Sequence, residues 1–225
     1  MELLASGRAS AVYAIDERTV LRRSGFDIVN EVRLMRYLRE RGYPVPEVYA
    51  ADGREMRMER LHGPTLAHEL TTGRVGPAQC AEFIRNLHNE LHRIEPPAWL
   101  ATQARGVDLT GGATGHAVLH LDLHPENILL TDHGPQVIDW TNAAAGDPEI
   151  DLAVTWAIFA GIDATPLEPA LAADFDRLLE LLGNGPSRHA LAAAIAFREA
   201  DGNLDAAELN RLRARAAATT TTPCS

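Results

Sequence analysis

From His120 the chain reads HLDLHPENILL, then TDHG, then PQVIDW. No other passage limits the possible folds so narrowly. A connection that only reverses the chain relies on Gly, Pro, Asn or Asp at its turn positions. This one has Pro125, but it also gathers His120, Asp122, His124, Glu126 and Asn127, more ionisable and amide side chains than a turn requires. NILL and PQVID flank TDHG as the two arms of a hairpin. The hairpin returns Asp139, at the end of its second arm, to the point where Asn127 enters the first, with Asp122 just upstream on the loop. Two carboxylates and an amide oxygen therefore converge. Hard oxygen donors of this kind suit Mg²⁺, which takes one or two protein groups together with substrate phosphates.

The remaining sequence supplies a sheet before this passage and helices after it. ELLAS, AVYAI and TVLRR read as short strands separated by GRAS and DER. In residues 27–41, Ile28, Val32, Met35 and Leu38 recur at helical spacing, and Pro44 and Pro46 are expected to end that helix. Asp52-Gly53 between two strand-like runs signals a hairpin. An apolar stripe from Cys80 to Ile94 marks a further helix, residues 95–117 read as irregular, and helices are expected near 148–161, 167–182, 187–200 and 203–217. The fold class is α+β: a small, mostly antiparallel sheet with one helix, then a mainly helical part.

Composition excludes several classes of protein. The formal net charge of −10 argues against nucleic acid as a partner. No run of apolar residues is long enough to span a membrane, and MELLASGRAS lacks the features of a secretion signal. Cys80 and Cys224 lie far apart with no metal-type spacing, so neither a disulfide framework nor a zinc site is expected, and a reducing cytoplasm is the expected location. All 21 basic residues are arginine. Any site that needs a fixed cation must therefore use a guanidinium, which is always charged and forks onto two oxygens.

A loop Asp, an Asn a few residues on and a second Asp after a hairpin form the catalytic template of kinases. The resemblance is closer than the template. His120-Leu-Asp122-Leu-His124-Pro-Glu-Asn127, then Ile138-Asp139-Trp140, then Gly146-Asp-Pro-Glu-Ile-Asp151-Leu-Ala occur in order and with matching spacing. They resemble the aminoglycoside phosphotransferase family, the small-molecule branch of the protein-kinase-like fold. The departure is Leu121, where that family usually has Gly. The resemblance implies a two-lobe fold: a nucleotide-binding lobe over 1–57, a hinge over 58–63, a catalytic helical lobe over 64–218 and a flexible tail over 219–225. It implies Asp122 as catalytic base, Asn127 and Asp139 as metal ligands, and His120 and Asp151 as braces of the loop. Asp147 has an ordinary alternative as the N-cap of a helix with Pro148 at its first position. His124 stays open between bracing and acceptor contact.

The resemblance also places ATP, or GTP, in the first lobe together with Mg²⁺. SGRASAVY, with Gly7, Arg8 and Ser10, fits the loop that covers the phosphates, although it has one glycine where kinases have three. The third-strand cation is Arg22 or Arg23; strand alternation puts them on opposite faces, and the family pattern favours Arg22. Glu31 on the next helix is its expected anion. Backbone from Glu59 to Leu61 is expected against the adenine edge.

The implied activity is phosphotransfer to the alcohol group of a small-molecule acceptor. Residues 146–209 carry 12 acids and 3 bases, which would attract a cationic one. The alternatives are a nucleotide-binding pseudokinase that works through a partner, and a protein kinase, which the absence of an Ala-Pro-Glu segment after Asp139 disfavours. His88 and His92 have the spacing of zinc ligands on a helix, but Asn89 stands where the zinc-protease pattern needs Glu, so they read as a solvated or packed pair.

Overall fold

A computed structural model describes residues 1–7, 10–111, 116–182 and 186–219. Strands β1 (Glu2–Ser6), β2 (Ser10–Ala14) and β3 (Thr19–Ser24) lead into α1 (Val29–Arg39), then β4 (Val48–Asp52) and β5 (Glu55–Glu59). All five strands pair antiparallel in the order β1-β2-β3-β5-β4. β3 is central and buries Val20, Leu21 and Arg22 while Arg23 stays exposed. Two turns differ from expectation. Asp52 pairs with Glu55, so Gly53 and Arg54 form the turn, and Gly53 takes the positive φ that a tight hairpin demands (+56°). Helix α1 stops before the prolines: Gly42 is left-handed (φ +78°), and Tyr43 N donates to Leu38 O at 3.1 Å. A left-handed glycine satisfies the last carbonyls by itself, so Pro44 and Pro46 prevent resumption without causing the stop.

Further along come α2 (Leu66–Thr71), α3 (Pro77–Leu91), the two-residue strands β6 (Gln103–Ala104) and β7 (Val107–Asp108), and β8 (Ala117–Leu119). A 3₁₀ turn at Pro125–Asn127 opens the hairpin β9 (Ile128–Thr131) and β10 (Gly134–Val137). β11 (Ala144–Gly146) and helices α4 (Pro148–Gly161), α5 (Pro169–Leu182), α6 (Arg188–Glu199) and α7 (Ala206–Thr219) complete the chain. The segment expected to be irregular thus contains strands, β6 pairing β7 and β8 pairing β11. α7 takes in Thr219, and the rest of the expected tail lies outside the described residues, as does Arg8.

The chain divides into two compact units, Met1–Leu66 with Glu126–Thr141, and Ala67–Pro125 with Asn142–Ser225. The β9–β10 hairpin, expected with the helices, therefore groups with the N-terminal sheet. Backbone bonds explain this: Val137 N donates to Pro44 O (2.8 Å) and Leu130 N to Pro64 O (2.9 Å). Gly63 allows the second contact, because a Cβ there would lie 2.0 Å from Leu130 O. Trp140 is buried at the end of the hairpin, edge-on to Tyr43 at 5.5 Å.

In the second unit α4 is apolar nearly all round and forms the centre. Ile150, Val154, Ala157 and Ala160 bury against Leu191, Ala194 and Phe197 of α6 and Leu212 of α7. Asp147 caps α4, its Oδ1 accepting from Glu149 N at 3.0 Å, with Pro148 in the first turn. Gly146 is needed just before the cap, where a Cβ would meet Leu109 O at 2.4 Å. No described helix is long and apolar enough to cross a membrane.

Candidate active site

The first unit assembles a chain of charged groups around Arg22. Its register on β3 is fixed by pairing with Val12 on one side and Met56 on the other, which turns the side chain into the unit while Arg23 faces out. The buried guanidinium bonds Glu31 Oε1 through Nη1, while Nη2 reaches Thr141 Oγ1 at 3.1 Å and Asp139 Oδ1 at 3.5 Å. Thr141 Oγ1 donates in turn to Asp139 Oδ1 at 2.7 Å. Burial raises the Glu31 carboxyl above its ordinary value, and the Arg22 charge opposes that shift only in part. Arg23 instead meets Glu55 at 2.8 Å, half exposed.

Asp139 leaves β10 in the left-handed region (φ +63°), a conformation that Asp and Asn tolerate better than most residues. The turn lifts its carboxylate out of the strand, leaving it 42% exposed. At the base of the same hairpin Ile138 N donates to Asn127 O at 3.0 Å, so Asn127 and Asp139 flank one backbone bond. Both offer hard oxygen donors, and this donor set fits Mg²⁺.

The second unit holds the loop that carries Asp122. Asp151, fully buried in the first turn of α4, accepts from Leu121 N at 2.7 Å and His120 N at 3.0 Å, and from His92 Nε2 at 2.9 Å. Burial by itself would raise this carboxyl; the His92 hydrogen bond, the two imidazoles and the backbone donors outweigh it and hold the group well below the usual carboxylate range. Thr155, one turn further along α4, donates to Leu123 O at 2.9 Å. His120 is buried and its Nδ1 accepts from Asp122 N at 3.2 Å. Asp122 projects from the loop, a quarter exposed, with His124 Nε2 3.8 Å from its Oδ1. Leu121 sits at φ +59° with its side chain buried. The position where the family usually has Gly is therefore left-handed, and leucine occupies it at a conformational cost of about 1–2 kcal/mol.

The remaining expected site residues lie in the first unit, and one expectation among them needs correction. Gly7 N donates to Ser10 O at 2.8 Å, and Arg8 lies outside the described residues. Glu59 and Arg60 do not offer free N–H groups: Glu59 N donates to Glu47 O and Arg60 N to Arg18 O, each at 2.8 Å. The Glu59 side chain faces Glu47 N (3.1 Å) and Arg39 (3.4 Å). As the last residue of β5, Glu59 is still held by neighbouring chain. Sequence reading missed Thr141, which ties Asp139 to Arg22, and missed that His92 and His88 pack onto Asp151. Nothing in the helical spacing of that pair points to a carboxylate on α4. The acidic excess after Gly146 is also less open than its sequence suggests, since Glu199 pairs with Arg213, Asp201 with Arg105 and Glu208 with Arg198.

Comparison with known proteins decides the family. The profile of the phosphotransferase enzyme family matches residues 1–110 and 98–192. The chain belongs to that family. A thiamine kinase of Salmonella paratyphi B is 48% identical over 40 residues, 18% of this chain and 15% of that kinase's length. Among solved structures, a choline/ethanolamine kinase family protein from Mesorhizobium loti superposes with a TM-score of 0.63 at 18% identity, covering 99% of this chain and 89% of the other. A thermostable mutant of the aminoglycoside phosphotransferase APH(4)-Ia, in a ternary complex with AMP-PNP and hygromycin B, gives 0.60 at 18% identity, covering 98% and 94%. The streptomycin–ATP complex of APH(2″)-IIa gives 0.58 at 16%, covering 96% and 90%. At such identities the likeness establishes the fold of this family member, which is that of kinases binding ATP or its analogues.

Proposed function

We propose that this phosphotransferase-family chain moves the γ-phosphate of ATP to a hydroxyl group of a small molecule. The observation that carries the reading is the linked set Arg22, Glu31, Thr141 and Asp139, a buried cation fixed by one helix acid and turned toward the metal-type carboxylate. Kinases use a β3 cation paired to a helix Glu to hold nucleotide phosphates. Arg22 takes that role here, with Glu31 fixing its guanidinium. Leu61, just past two residues whose N–H groups are committed, offers the backbone donor for an adenine edge.

Asp122 accepts a hydrogen bond from the acceptor hydroxyl and orients its oxygen for in-line attack, taking the proton as the O–P bond forms. Asp151 and Thr155 hold the loop so that this carboxylate is placed before the acceptor arrives, which is where much of the rate of such a reaction originates. Asn127 and Asp139 are the residues that would hold Mg²⁺, whose charge when bound offsets that of the phosphate oxygens. The segment between Leu91 and His120 is short, which favours a small acceptor, and the remaining acidic excess of residues 146–209 favours a cationic one.

Asp122→Asn should lower transfer by orders of magnitude while leaving Mg·ATP affinity near wild type, whereas Asp139→Ala should weaken Mg²⁺-dependent nucleotide binding itself. Isothermal titration with and without Mg²⁺, alongside transfer assays on amino sugars, amino alcohols, sugars and nucleosides, separates the two. Undiminished turnover in Asp122→Asn would exclude the assignment.

A further inference from the structure

His88, His92 and Asp151 each offer one donor atom, and these atoms lie within 4.8 Å of one another. The two imidazoles stand one turn apart on α3 and the carboxylate comes from α4. His88 is fully buried. Its Nδ1 lies 3.0 Å from Ile84 O and must donate to it, so in the neutral ring Nε2 carries only a lone pair. That lone pair faces Asp151 Oδ2 at 3.7 Å and Thr155 Oγ1 at 3.4 Å. The single hydroxyl proton of Thr155 is taken by Leu123 O at 2.9 Å. His88 Nε2 is thus left with one long contact to a hydroxyl whose proton has a nearer acceptor in Leu123 O, and it stands beside the Asp151 carboxylate. Burial disfavours a charged His88, whose pKa is pushed down to about 4.

We propose that His88, His92 and Asp151 form a binding site for a divalent transition-metal ion of the zinc type. Two imidazoles and one carboxylate, with a further position left open, is a recurrent zinc donor set, and imidazole donors select such ions over Mg²⁺. The ion would replace the proton now lying between His92 Nε2 and Asp151 Oδ2, and that proton moves to His92 Nδ1, so no proton is lost and the site goes from a net charge of −1 to +1. Asp151 keeps the bonds from Leu121 N and His120 N, because the ion uses the lone pair that His92 had occupied. A cavity of about 290 Å³ lies against His88 and Thr155, with Arg85, Asn89 and Glu149 also in its lining. Cys80 on the same helix does not compete, since burial pushes its thiol up to about 12. Through Asp151 the ion would bear on the loop of Asp122, separately from any Mg²⁺ at Asn127 and Asp139.

The test uses the full chain without a histidine tag and Co²⁺ as a spectroscopic probe. Wild type should bind one Co²⁺ with the intense visible absorption of a four-coordinate nitrogen–oxygen site, and Zn²⁺, but not Mg²⁺, should displace it. Losing even a supporting partner of a metal ligand lowers affinity about 10–100-fold, so His88→Gln and His92→Gln should each weaken binding at least that much. If neither variant folds, X-ray absorption of the zinc-loaded wild type decides: two imidazoles with oxygen neighbours support the site. A weak six-coordinate Co²⁺ spectrum, unchanged affinity in both variants, or a zinc shell lacking two imidazoles would overturn it.

Discussion

Glu31 on α1 and Asp151 on α4 are both buried carboxylates on helices, one in each unit, and their surroundings push them in opposite directions. Glu31 has one guanidinium at Oε1, no partner within hydrogen-bond geometry at Oε2 among the described residues, and only a minor favourable contribution from the Trp140 backbone N–H. Desolvation wins there, and the proton is held more tightly than usual. Asp151 is at least as deeply buried, yet its two oxygens receive two backbone N–H groups and an imidazole N–H. Burial does not set the charge state of an interior acid by itself; the number of donors fixed around it before it ionises does. The difference suits the two roles. A brace for a loop gains from permanent charge, whereas the anion beside the cation proposed to bind phosphates need only offset it.

The largest effect should come from removing the better-solvated acid. Asp151→Ala leaves two buried loop N–H groups and an imidazole without their acceptor and should destabilise the protein by about 3–5 kcal/mol in urea unfolding, with transfer activity falling as well. Arg22→Ala also breaks a buried pair, but Glu31 can then take up a proton. Its stability cost should be smaller, and it should shrink further as pH is lowered from 7 to 5. An equal, pH-independent cost in the two variants would mean that the two acids do not differ as argued.

Leu121 tests the loop that Asp151 holds. Leu121→Gly relieves the left-handed backbone by about 1–2 kcal/mol but empties a buried side-chain volume worth about 2–5 kcal/mol. We expect a net loss of stability, because packing here outweighs strain; a gain would show that the glycine usual in the family is the better residue at this site too.

The pH dependence of stability should carry the same contrast. Asp151 has its folded pKa depressed, so its contribution is present above the ordinary Asp value of 3.8 and is lost as pH falls through the lower folded value. Glu31 has its folded pKa raised, so its contribution is present below the ordinary Glu value of 4.5 and is lost as pH rises through the higher folded value. The stability of wild type relative to Glu31→Gln should therefore grow as pH falls toward 4.5, while that relative to Asp151→Asn should shrink below 3.8. Chemical denaturation across the acid range reads both. The smallest effect belongs to Arg23→Ala, whose exposed pair with Glu55 should be worth under about 1 kcal/mol, with nucleotide affinity unchanged. A marked loss of affinity there would reverse the assignment of Arg22.

Local chemistry was legible in the chain wherever it depended on neighbours in sequence. The hairpin after Asn127, the Asp-Pro cap of α4, the split of Arg22 from Arg23 by strand alternation and the order of the three motifs follow from turn residues, periodicity and spacing. Those forces act over a few residues and leave a pattern. The site itself was legible only as a set of residue types in order. Tertiary structure decided that Thr141 joins Asp139 to Arg22, that the hairpin groups with the N-terminal sheet through Pro44 and Pro64, and that Glu59 and Arg60 spend their N–H groups on neighbouring chain. It decided too that His88 and His92, an ordinary pair on one helix face, meet Asp151 from another helix. Which donors surround a buried group depends on how helices and strands pack, and packing is specified by volume and shape distributed over the whole core, with no short signature in the sequence.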